Sequence, residues 1–438
     1  MDFGRSDDPR VQAQLDRLSA LSVPQGRLGL ETIRALMERL GNPHRKLPPV
    51  FHVAGTNGKG SVCAFLRAML EADGKRVHVT TSPHLVRYNE RIRIAGKLIE
   101  DGPLAELLEE ILDAGEDLAP SFFEVTIASA FLAFSRTPAD ACVVEVGLGG
   151  RFDATNVLEP EAVAACGIAA LGIDHERFLL APEDGVPEEP MARIAFEKAG
   201  IAKKGVPLVT MGQLYPEEAQ RAIGSVAKRV GSICLSQGLD WNSWRSANSD
   251  EFCFDWDYPD EQQWFAAPSI PGQHQVQNAG LAIAMLRVQG ALEIGKNAIA
   301  KGVRTARWPA RMQLLSDGPL IALTSDRKVW LDGGHNPRAG DAIAQSIEGP
   351  LHLVIGMLEG KDPRALLDPM AGQFRTLQIV PVPGHDSHPV SAFGEDAVAR
   401  ENLEDALLNV PDDDYPILIT GSLYLAGEAL RLNDEIPD

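Results

Sequence analysis

The glycine-rich stretch VAGTNGKGS, residues 53–61, constrains the fold of this chain more than any other feature. A short apolar run precedes it, and apolar residues follow it at the spacing of a helix. A turn of this kind between a strand and a helix can hold phosphate oxygens with its backbone N–H groups and a lysine. The usual form puts Ser or Thr directly after Gly-Lys, but here Gly60 separates Lys59 from Ser61. The stretch therefore predicts either a variant phosphate-binding loop or a turn that only caps a helix.

Apolar runs of strand length alternate with helical periodicity along most of the chain. Strands are predicted at 50–55, 76–82, 141–147, 162–169 and 207–211, and again at 329–334, 352–357, 377–382 and 417–422. Helices are predicted at 122–134, 191–203 and 276–289, and short aromatic pieces between Ser232 and Pro271 predict a small antiparallel element. The alternation predicts an α/β fold with a mainly parallel, doubly wound sheet.

The length of 438 residues exceeds what one hydrophobic core usually supports. Because the strand–helix alternation restarts near Val303, we predict two domains. Residues 1–302 would form the larger one, with the phosphate loop, and residues 303–438 a smaller, Rossmann-like α/β domain. The acidic, proline-bearing segment 181–190 is predicted to be a surface insertion.

Charge and composition argue against several classes of partner. The chain has 41 Lys and Arg residues against 61 Asp and Glu, a net charge of -20, which disfavours nucleic acid and anionic membranes. The charged N-terminus does not look like a signal peptide, and no apolar run approaches the roughly 18 residues of a membrane helix. Five cysteines without a Cys-x-x-Cys pair predict buried thiols in a reducing compartment, so the cytoplasm is expected.

Three further residues could carry chemistry beside the loop. Glu145 ends a hydrophobic strand where an α/β sheet places its ligands, and His175 follows another apolar strand. Lys198 lies in a Glu-Lys stretch of a predicted helix. Taken one at a time, each has an ordinary alternative: a paired carboxylate, a structural histidine and a solvated lysine.

Ten motifs together resemble one family. In chain order they read VAGTNGKGS, TSPHLVRYNERI, SFFE, VEVGLGGRFDATN, GIDH, FEKAGI, PGQHQVQNAG, WPAR, LDGGHN and GSLYLAGE, across roughly residues 26–427. They resemble the folylpolyglutamate synthase/dihydrofolate synthase branch of the Mur ligase superfamily. In that branch a glycine follows the loop lysine, whereas cell-wall Mur ligases usually have Thr there. The resemblance implies an ATP-dependent ligase that adds L-glutamate to dihydropteroate and to reduced folates through an acyl phosphate.

The resemblance also assigns residues to ATP and metal. It implies ATP and Mg²⁺ as cofactors, with K⁺ as a further candidate, and a carbamate on Lys198. The implied catalytic residues are Lys59, Lys198 and His175. The implied magnesium ligands are Ser82, Glu145 and His175. The implied nucleotide contacts are Thr56, Asn57, Gly58, Lys59, Gly60, Ser61, Asn278, Arg311 and Asp332. Because Arg311 and Asp332 lie in the predicted second domain, ATP would bridge both domains and favour their closure.

The remaining implied residues concern the substrates. For the pterin-bearing substrate they are Arg27, Leu28, Gly29, Ser121, Phe122, Phe123, Glu124, Phe152, Asp153 and Ala154, and for the incoming glutamate Arg91, His335 and Ser422. A monomer is expected, since one chain supplies all the matched groups. The chain departs from the family pattern with Ala310 where glycine is usual, Gly334 where alanine is common and Gly360 where aspartate is expected.

Rival interpretations remain at this point. A Mur-type ligase acting on another carboxylate would use the same chemistry. A P-loop kinase or GTPase switch is less favoured, because the chain has no Asn-Lys-x-Asp motif. A non-catalytic nucleotide-binding module would not account for Glu145, His175 and Lys198. The sequence does not decide between one folate activity and both.

Overall fold

The computed structural model describes residues 4–21, 29–256, 262–325, 327–347 and 349–438. It divides into two compact units, Met1–Ser269 with Val276–Arg307, and Ile270–Gln275 with Trp308–Asp438. The sequence predicts a boundary between residues 302 and 303, but the division follows Arg307. A helix at Lys296–Thr305 crosses the predicted boundary, and it packs on the first unit so closely that a Cβ on Gly302 would lie 2.5 Å from the backbone of Met69.

The first unit is built on an eight-stranded sheet. Its strands are β1 (Val50–Ala54), β2 (Val77–Thr80), β3 (Ile92–Ile94), β4 (Lys97–Leu98), β5 (Ala141–Glu145), β6 (Val163–Ile168), β7 (Pro207–Thr210) and β8 (Ile233–Ser236). Their order is β4-β3-β2-β5-β1-β6-β7-β8. Neighbours run parallel except β2–β3 and β3–β4, which confirms the mainly parallel sheet. Strands β3 and β4 are not among the predicted strands, because strands of two or three residues carry no alternation signal.

Ten helices belong wholly or largely to this unit among the described residues. They are α1 (Pro9–Leu21), α2 (Glu31–Arg39), α3 (Lys59–Ala72), α4 (Asp101–Gly115), α5 (Phe122–Arg136), α6 (Glu176–Leu179), α7 (Pro190–Ala199), α8 (Glu217–Val230), α9 (Gln275–Val288) and α10 (Lys296–Thr305). Helix α7 ends at Ala199, before the predicted Lys203, and the next residue is Gly200, a poor helix former. Within the described ranges no helix has both the length and the apolar character needed to cross a bilayer.

A three-stranded antiparallel sheet follows. Its strands are β9 (Trp241–Arg245), β10 (Glu251–Trp256) and β11 (Gln263–Ala266), in the order β11-β10-β9. The antiparallel element is confirmed, but it begins later than the predicted Ser232, because β8 pairs in parallel with β7 in the large sheet. The five cysteines are free; four are buried as predicted, and Cys234 is partly exposed.

The second unit contains a six-stranded sheet. Its strands are β12 (Gln313–Leu314), β13 (Val329–Leu331), β14 (Leu351–Ile355), β15 (Phe374–Ile379), β16 (Ala397–Ala399) and β17 (Ile417–Thr420). Their order is β12-β13-β17-β14-β15-β16, and only β12–β13 is antiparallel. Its helices are α11 (Pro337–Ser346), α12 (Arg364–Leu367), α13 (Leu403–Leu408) and α14 (Leu423–Leu432). A core that includes Leu353, Ile355 and Leu418 fills this smaller α/β unit.

The backbone at Ala310 explains why glycine is usual at this position of the family pattern. Ala310 has φ 53, the left-handed region that an L side chain disfavours by roughly 1–2 kcal/mol. We therefore expect Ala310→Gly to raise the free energy of unfolding of the second unit by about 1 kcal/mol, measured as a higher urea midpoint. Ala342→Gly, inside α11 of the same unit, is the control and should lower it by about 0.5–1 kcal/mol. A lowered midpoint for Ala310→Gly would contradict the strain.

Candidate functional site

The glycine-rich loop connects β1 to α3 at the carboxyl edge of the large sheet. Gly58 is left-handed, with φ 85, and a Cβ there would lie 2.5 Å from Oδ1 of Asn278. The N–H groups of Thr56 and Asn57 both donate to the carbonyl of Ala170, at 2.9 and 3.1 Å. The loop shape is therefore held by the turn after β6, and Asn278 lies directly against the loop.

Ser61 lies in the first turn of α3 and has an unsatisfied hydroxyl. Its Oγ is buried and has no hydrogen-bond partner among the described residues. Leaving such a group unpaired costs about 1–3 kcal/mol, so a ligand that hydrogen-bonds to this hydroxyl would be favoured. The first N–H groups of a helix also lack intrahelical acceptors. A hydroxyl beside such amides fits phosphate oxygens or a hard cation, which a turn that only caps a helix would not require.

Two lysines approach the loop from different elements. Lys59 begins α3 and places Nζ 3.5 Å from the carbonyl oxygen of Thr56. Lys198, on α7, is 4% exposed and donates from Nζ to the carbonyl oxygen of Gly55 at 2.9 Å. The interpretation of Lys198 as a solvated lysine on an exposed helix face is therefore wrong.

The buried position changes the titration of Lys198. Burial, followed by the nearby charge of Lys59, lowers the pKa of the Lys198 amine from 10.5 to about 7. With that pKa, the neutral amine is a populated form at neutral pH. The neutral amine is the nucleophilic form, and the form that reacts with CO₂.

The structure brings two of the three predicted metal ligands together. Glu145 ends β5, paired with Val53 of β1, and its Oε2 accepts a hydrogen bond from the backbone N–H of Ser82 at 3.1 Å. His175 follows β6 with φ 53, and its side chain is 47% exposed. No group of three His, Cys, Asp or Glu side chains in the described ranges could hold a metal ion. A hydroxyl residue and one carboxylate fit Mg²⁺, which keeps several waters and phosphate oxygens as ligands.

The SFFE stretch also has a local structural role, which is not among its predicted roles. Ser121 caps α5: its Oγ accepts from the N–H of Glu124 at 3.2 Å, and Glu124 Oε2 accepts from the N–H of Ser121 at 2.8 Å. Ser-x-x-Glu before an apolar run is the signature of such a capping box, so the signal was present. Phe123 lies against the loop after β5, where a Cβ on Gly147 would collide with its ring.

The neighbouring substrate candidates lie in the same loop after β5. Asp153 is buried, which raises the pKa of its carboxyl group, and it accepts from the N–H groups of Leu148 at 2.8 Å and Thr155 at 3.0 Å. It caps the short 3₁₀ helix that begins at Ala154. The predicted Arg27 and Leu28 fall outside the described residues, whereas Gly29 lies just before α2, where a Cβ would collide with Oε2 of Glu31.

Arg91, predicted for the glutamate, is buried in the first unit. It is 1% exposed, and its Nε donates to Nδ1 of His84 at 2.8 Å. Its guanidinium carbon lies 5.7 Å from the ring centroid of Tyr88 and 5.4 Å from that of Phe122. The structure therefore places Arg91 beside one of the aromatic residues predicted for the pterin.

The candidates of the second unit meet around the loop after β13. Asp332 accepts from the N–H groups of Met312 at 2.8 Å and Gly334 at 2.7 Å, and burial raises the pKa of its carboxyl group. A Cβ on Gly333 would lie 3.3 Å from Nη1 of Arg311.

The other two candidates of this unit adjoin the same loop. Nδ1 of His335 lies 3.1 Å from the carbonyl oxygen of Gly333. Ser422 caps α14 by accepting from the N–H of Tyr424 at 3.1 Å, and the preceding Gly421 donates to the carbonyl of Gly334 at 3.1 Å. The structure thus brings all four predicted residues of this unit together.

Gly334 and Gly360, two departures from the family pattern, differ in how closely other atoms surround them. A Cβ on Gly334 would lie 2.8 Å from Cβ of Ala339 and 2.9 Å from Oδ1 of Asp332, so this packing favours glycine. A Cβ on Gly360 would meet no heavy atom within 4 Å. The structure gives no reason for glycine at that second position.

Sequence comparison identifies relatives of the whole chain. No model of a protein family matches it. The folylpolyglutamate synthase of Lacticaseibacillus casei is 33% identical over 418 residues, which cover 90% of this chain and 92% of that protein. A probable bifunctional folylpolyglutamate synthase/dihydropteroate synthase of Halobacterium salinarum is 32% identical over 426 residues; the match covers 92% of this chain but only 49% of that longer protein.

The chain also resembles solved structures over nearly its whole length. An Escherichia coli enzyme in complex with DHPP and ADP has a TM-score of 0.82 and 29% identity, and the match covers 97% of each chain. A bifunctional folylpolyglutamate synthase/dihydrofolate synthase of Yersinia pestis, complexed with AMPPNP and Mn ion, has a TM-score of 0.81 and 28% identity. That match covers 96% of this chain and 97% of the Yersinia chain.

Proposed function

Because the chain belongs to the dihydrofolate synthase/folylpolyglutamate synthase family, we propose that it is an ATP-dependent ligase that adds L-glutamate to dihydropteroate and to reduced folates. A carboxylate resists attack by an amine because it is an anion with no good leaving group. Transfer of the γ-phosphoryl group of ATP to the carboxylate gives an acyl phosphate and ADP. The glutamate amine then attacks the acyl carbon, phosphate leaves, and the amide forms.

The observation that carries this proposal is the loop with the buried, unsatisfied hydroxyl of Ser61. The N–H groups of Gly58, Gly60 and Ser61 would hold phosphate oxygens, and Lys59 would offset the charge of the transferring group. Thr56 and Asn57 would contact the same nucleotide, as would Asn278, which lies against Gly58. Arg311 and Asp332 remain predicted nucleotide contacts of the second unit.

A divalent metal fits the residues beside the loop. Ser82 and Glu145 lie together at the sheet edge, and His175 is the third proposed ligand. Magnesium bound there would neutralise charge on the phosphates. The Yersinia pestis enzyme, whose solved structure is complexed with AMPPNP and Mn ion, offers a parallel for a divalent metal beside a nucleotide. K⁺ remains a further candidate.

We also propose that Lys198 carries a carbamate. A carbamate forms only from the neutral amine, and the pKa of about 7 supplies that form at neutral pH. The modification would turn a buried cation into an anion near the metal ligands. Burial beside the loop supports this proposal, since a solvated lysine would keep its charge.

The substrates would occupy separate parts of the chain. The pterin-bearing substrate is assigned to the SFFE stretch at the start of α5 and to Phe152–Ala154. Phe123 of the SFFE stretch lies against Gly147, in the loop after β5 that also contains Phe152–Ala154. The glutamate is assigned to Arg91, His335 and Ser422. These assignments come from the family resemblance, and all of these residues lie within the described ranges.

Product analysis with two folate substrates tests the proposed function. Purified protein with ATP, Mg²⁺ and L-glutamate should convert dihydropteroate to dihydrofolate and should lengthen tetrahydrofolate by one glutamyl residue, both read by mass spectrometry. Phosphate should be released only when carboxylate and amine are both present. Turnover with a cell-wall peptide precursor alone would replace the folate assignment by a Mur-type activity, and a phosphorylated product stable to added glutamate would indicate a kinase.

A further inference from the structure

A four-residue ion network links the acidic segment 181–190 to the candidate site. Glu183, from that segment, pairs bidentately with Arg151, with Oε1–Nη1 and Oε2–Nη2 distances of 2.9 and 2.6 Å. Its Oε2 also lies 3.0 Å from Nη2 of Arg193 on α7. Glu197, on the same helix, contacts both arginines, at 2.8 Å from Arg151 Nη2 and 3.1 Å from Arg193 Nε.

The charges of this network balance only when Glu183 takes part. The side chains of Arg193 and Glu197 are 6% and 5% exposed, so their charges are largely removed from water. Hydrogen bonds from Arg151 hold the pKa of the Glu183 carboxyl at about 2, so it is an anion throughout the neutral range. Two arginines then face two carboxylates; without Glu183, one positive charge would be left over.

The network also joins two parts of the candidate site. The N–H of Arg151 donates to the carbonyl of Glu197 at 2.8 Å, and a Cβ on Gly150 would lie 3.0 Å from Cα of Lys198. The guanidinium carbon of Arg151 lies 4.2 Å from the ring centroid of Phe152, within cation–π distance. The Arg151 guanidinium is therefore a direct neighbour of Phe152, which the family resemblance assigns to the pterin.

We propose that Glu183 is a positioning residue for the pterin-bearing substrate: together with Glu197, it holds the Arg151 guanidinium over the ring of Phe152. Bidentate carboxylate–guanidinium pairs give a guanidinium a defined geometry, and Glu183 adds a second such pair, with a contact to Nη1 at 2.9 Å, to the one that Glu197 makes. Glu197 reaches Nε and one Nη of Arg151, and Glu183 holds both Nη atoms. The inference rests on the proposed function, because it assumes that Phe152 contacts the pterin.

Substitution of Glu183 by glutamine tests this role, because glutamine keeps the size but loses the charge. We expect Glu183→Gln to raise KM and Kd for dihydropteroate roughly fivefold, with kcat and the KM values for ATP and L-glutamate within about twofold of the wild type. Glu183→Asp should recover part of the affinity, since it restores the anion. Kd is measured by calorimetry without turnover, so it does not depend on the chemical step.

Glu188→Gln is the matched control, because Glu188 is a carboxylate of the same segment that takes no part in the network. It should leave all constants unchanged. Unchanged Kd and KM for dihydropteroate in Glu183→Gln would overturn the proposal, as would an equal loss of affinity for all three substrates together with a lowered Tm, which would indicate a purely structural role. Failure of the proposed function is distinct: the wild-type protein itself would then neither bind nor convert dihydropteroate.

Discussion

Lys59→Ala is expected to lower kcat by about 10²-fold or more, on the order of 3 kcal/mol of transition-state stabilisation, while the fold stays intact. The Lys59 ammonium lies at the start of α3, beside the loop whose amides would hold the phosphates. Because charge shifts among the phosphate oxygens during transfer, its removal should act on kcat and not only on KM. Steady-state kinetics with dihydropteroate, ATP and L-glutamate provides the measurement.

Lys97→Ala is the control for this experiment. Lys97 is an exposed lysine in β4, so the variant removes the same charge away from the loop and should keep wild-type rates. Circular dichroism and Tm establish that both variants are folded. A folded Lys59→Ala variant with near-normal kcat would exclude the loop lysine from phosphoryl transfer.

Lys198→Ala is expected to be nearly inactive. The side chain is buried and contacts the loop carbonyl of Gly55, so its loss removes both the amine and the anion that a carbamate would supply. Short-chain carboxylates such as formate or acetate should restore part of the activity by filling the vacated space. Lys204→Ala, which changes an exposed lysine after α7, should be unaffected. Wild-type turnover in Lys198→Ala would contradict any role in the reaction.

The pH dependence separates a carbamate from a plain amine. Since the pKa of Lys198 is lowered to about 7, wild-type activity should fall as the pH drops below 7, and added bicarbonate should move this fall to lower pH by favouring the carbamate. A fall that does not respond to bicarbonate would count against the modification.

Stability gives a second readout for Lys198. The pKa of Lys198 in the folded state lies below the value of 10.5 for an unburied lysine. The free-energy penalty for burying the charged amine is therefore fully present below about pH 7. That penalty fades as the pH rises from about 7 towards 10.5. Lys198→Met, without bound CO₂, should therefore gain stability most clearly below pH 7.

Local patterns predicted most of the fold. The loop at residues 53–61 and most of the parallel strands were readable because apolar runs, glycines and helical spacing are encoded within short windows, but the parallel strands β8 and β16 were not predicted. The capping box in SFFE was equally readable, yet the family resemblance drew attention only to a substrate role. The β3–β4 hairpin and the exact end of α7 were not predicted, since very short strands and helix ends carry weak signals.

Long-range contacts account for what the sequence could not predict at the site. A Glu-Lys pair on a helix looks like a solvated face, and Lys198 is buried only because α7 packs behind the loop at Gly55. Likewise, the charge on Glu183 is unremarkable within an acidic segment until Arg151 and Arg193 are placed beside it. Such burial and pairing depend on tertiary packing, which no window of residues contains.

The transfer of labelled oxygen tests the central claim, activation of a carboxylate by phosphorylation, most directly. Dihydropteroate labelled with ¹⁸O in both carboxylate oxygens is incubated with the enzyme, ATP, Mg²⁺ and L-glutamate, and the released phosphate is analysed by mass spectrometry. An acyl phosphate predicts one ¹⁸O atom in each phosphate, because the bridging oxygen comes from the carboxylate and leaves with phosphorus. Unlabelled phosphate accompanying amide formation would contradict an acyl-phosphate intermediate.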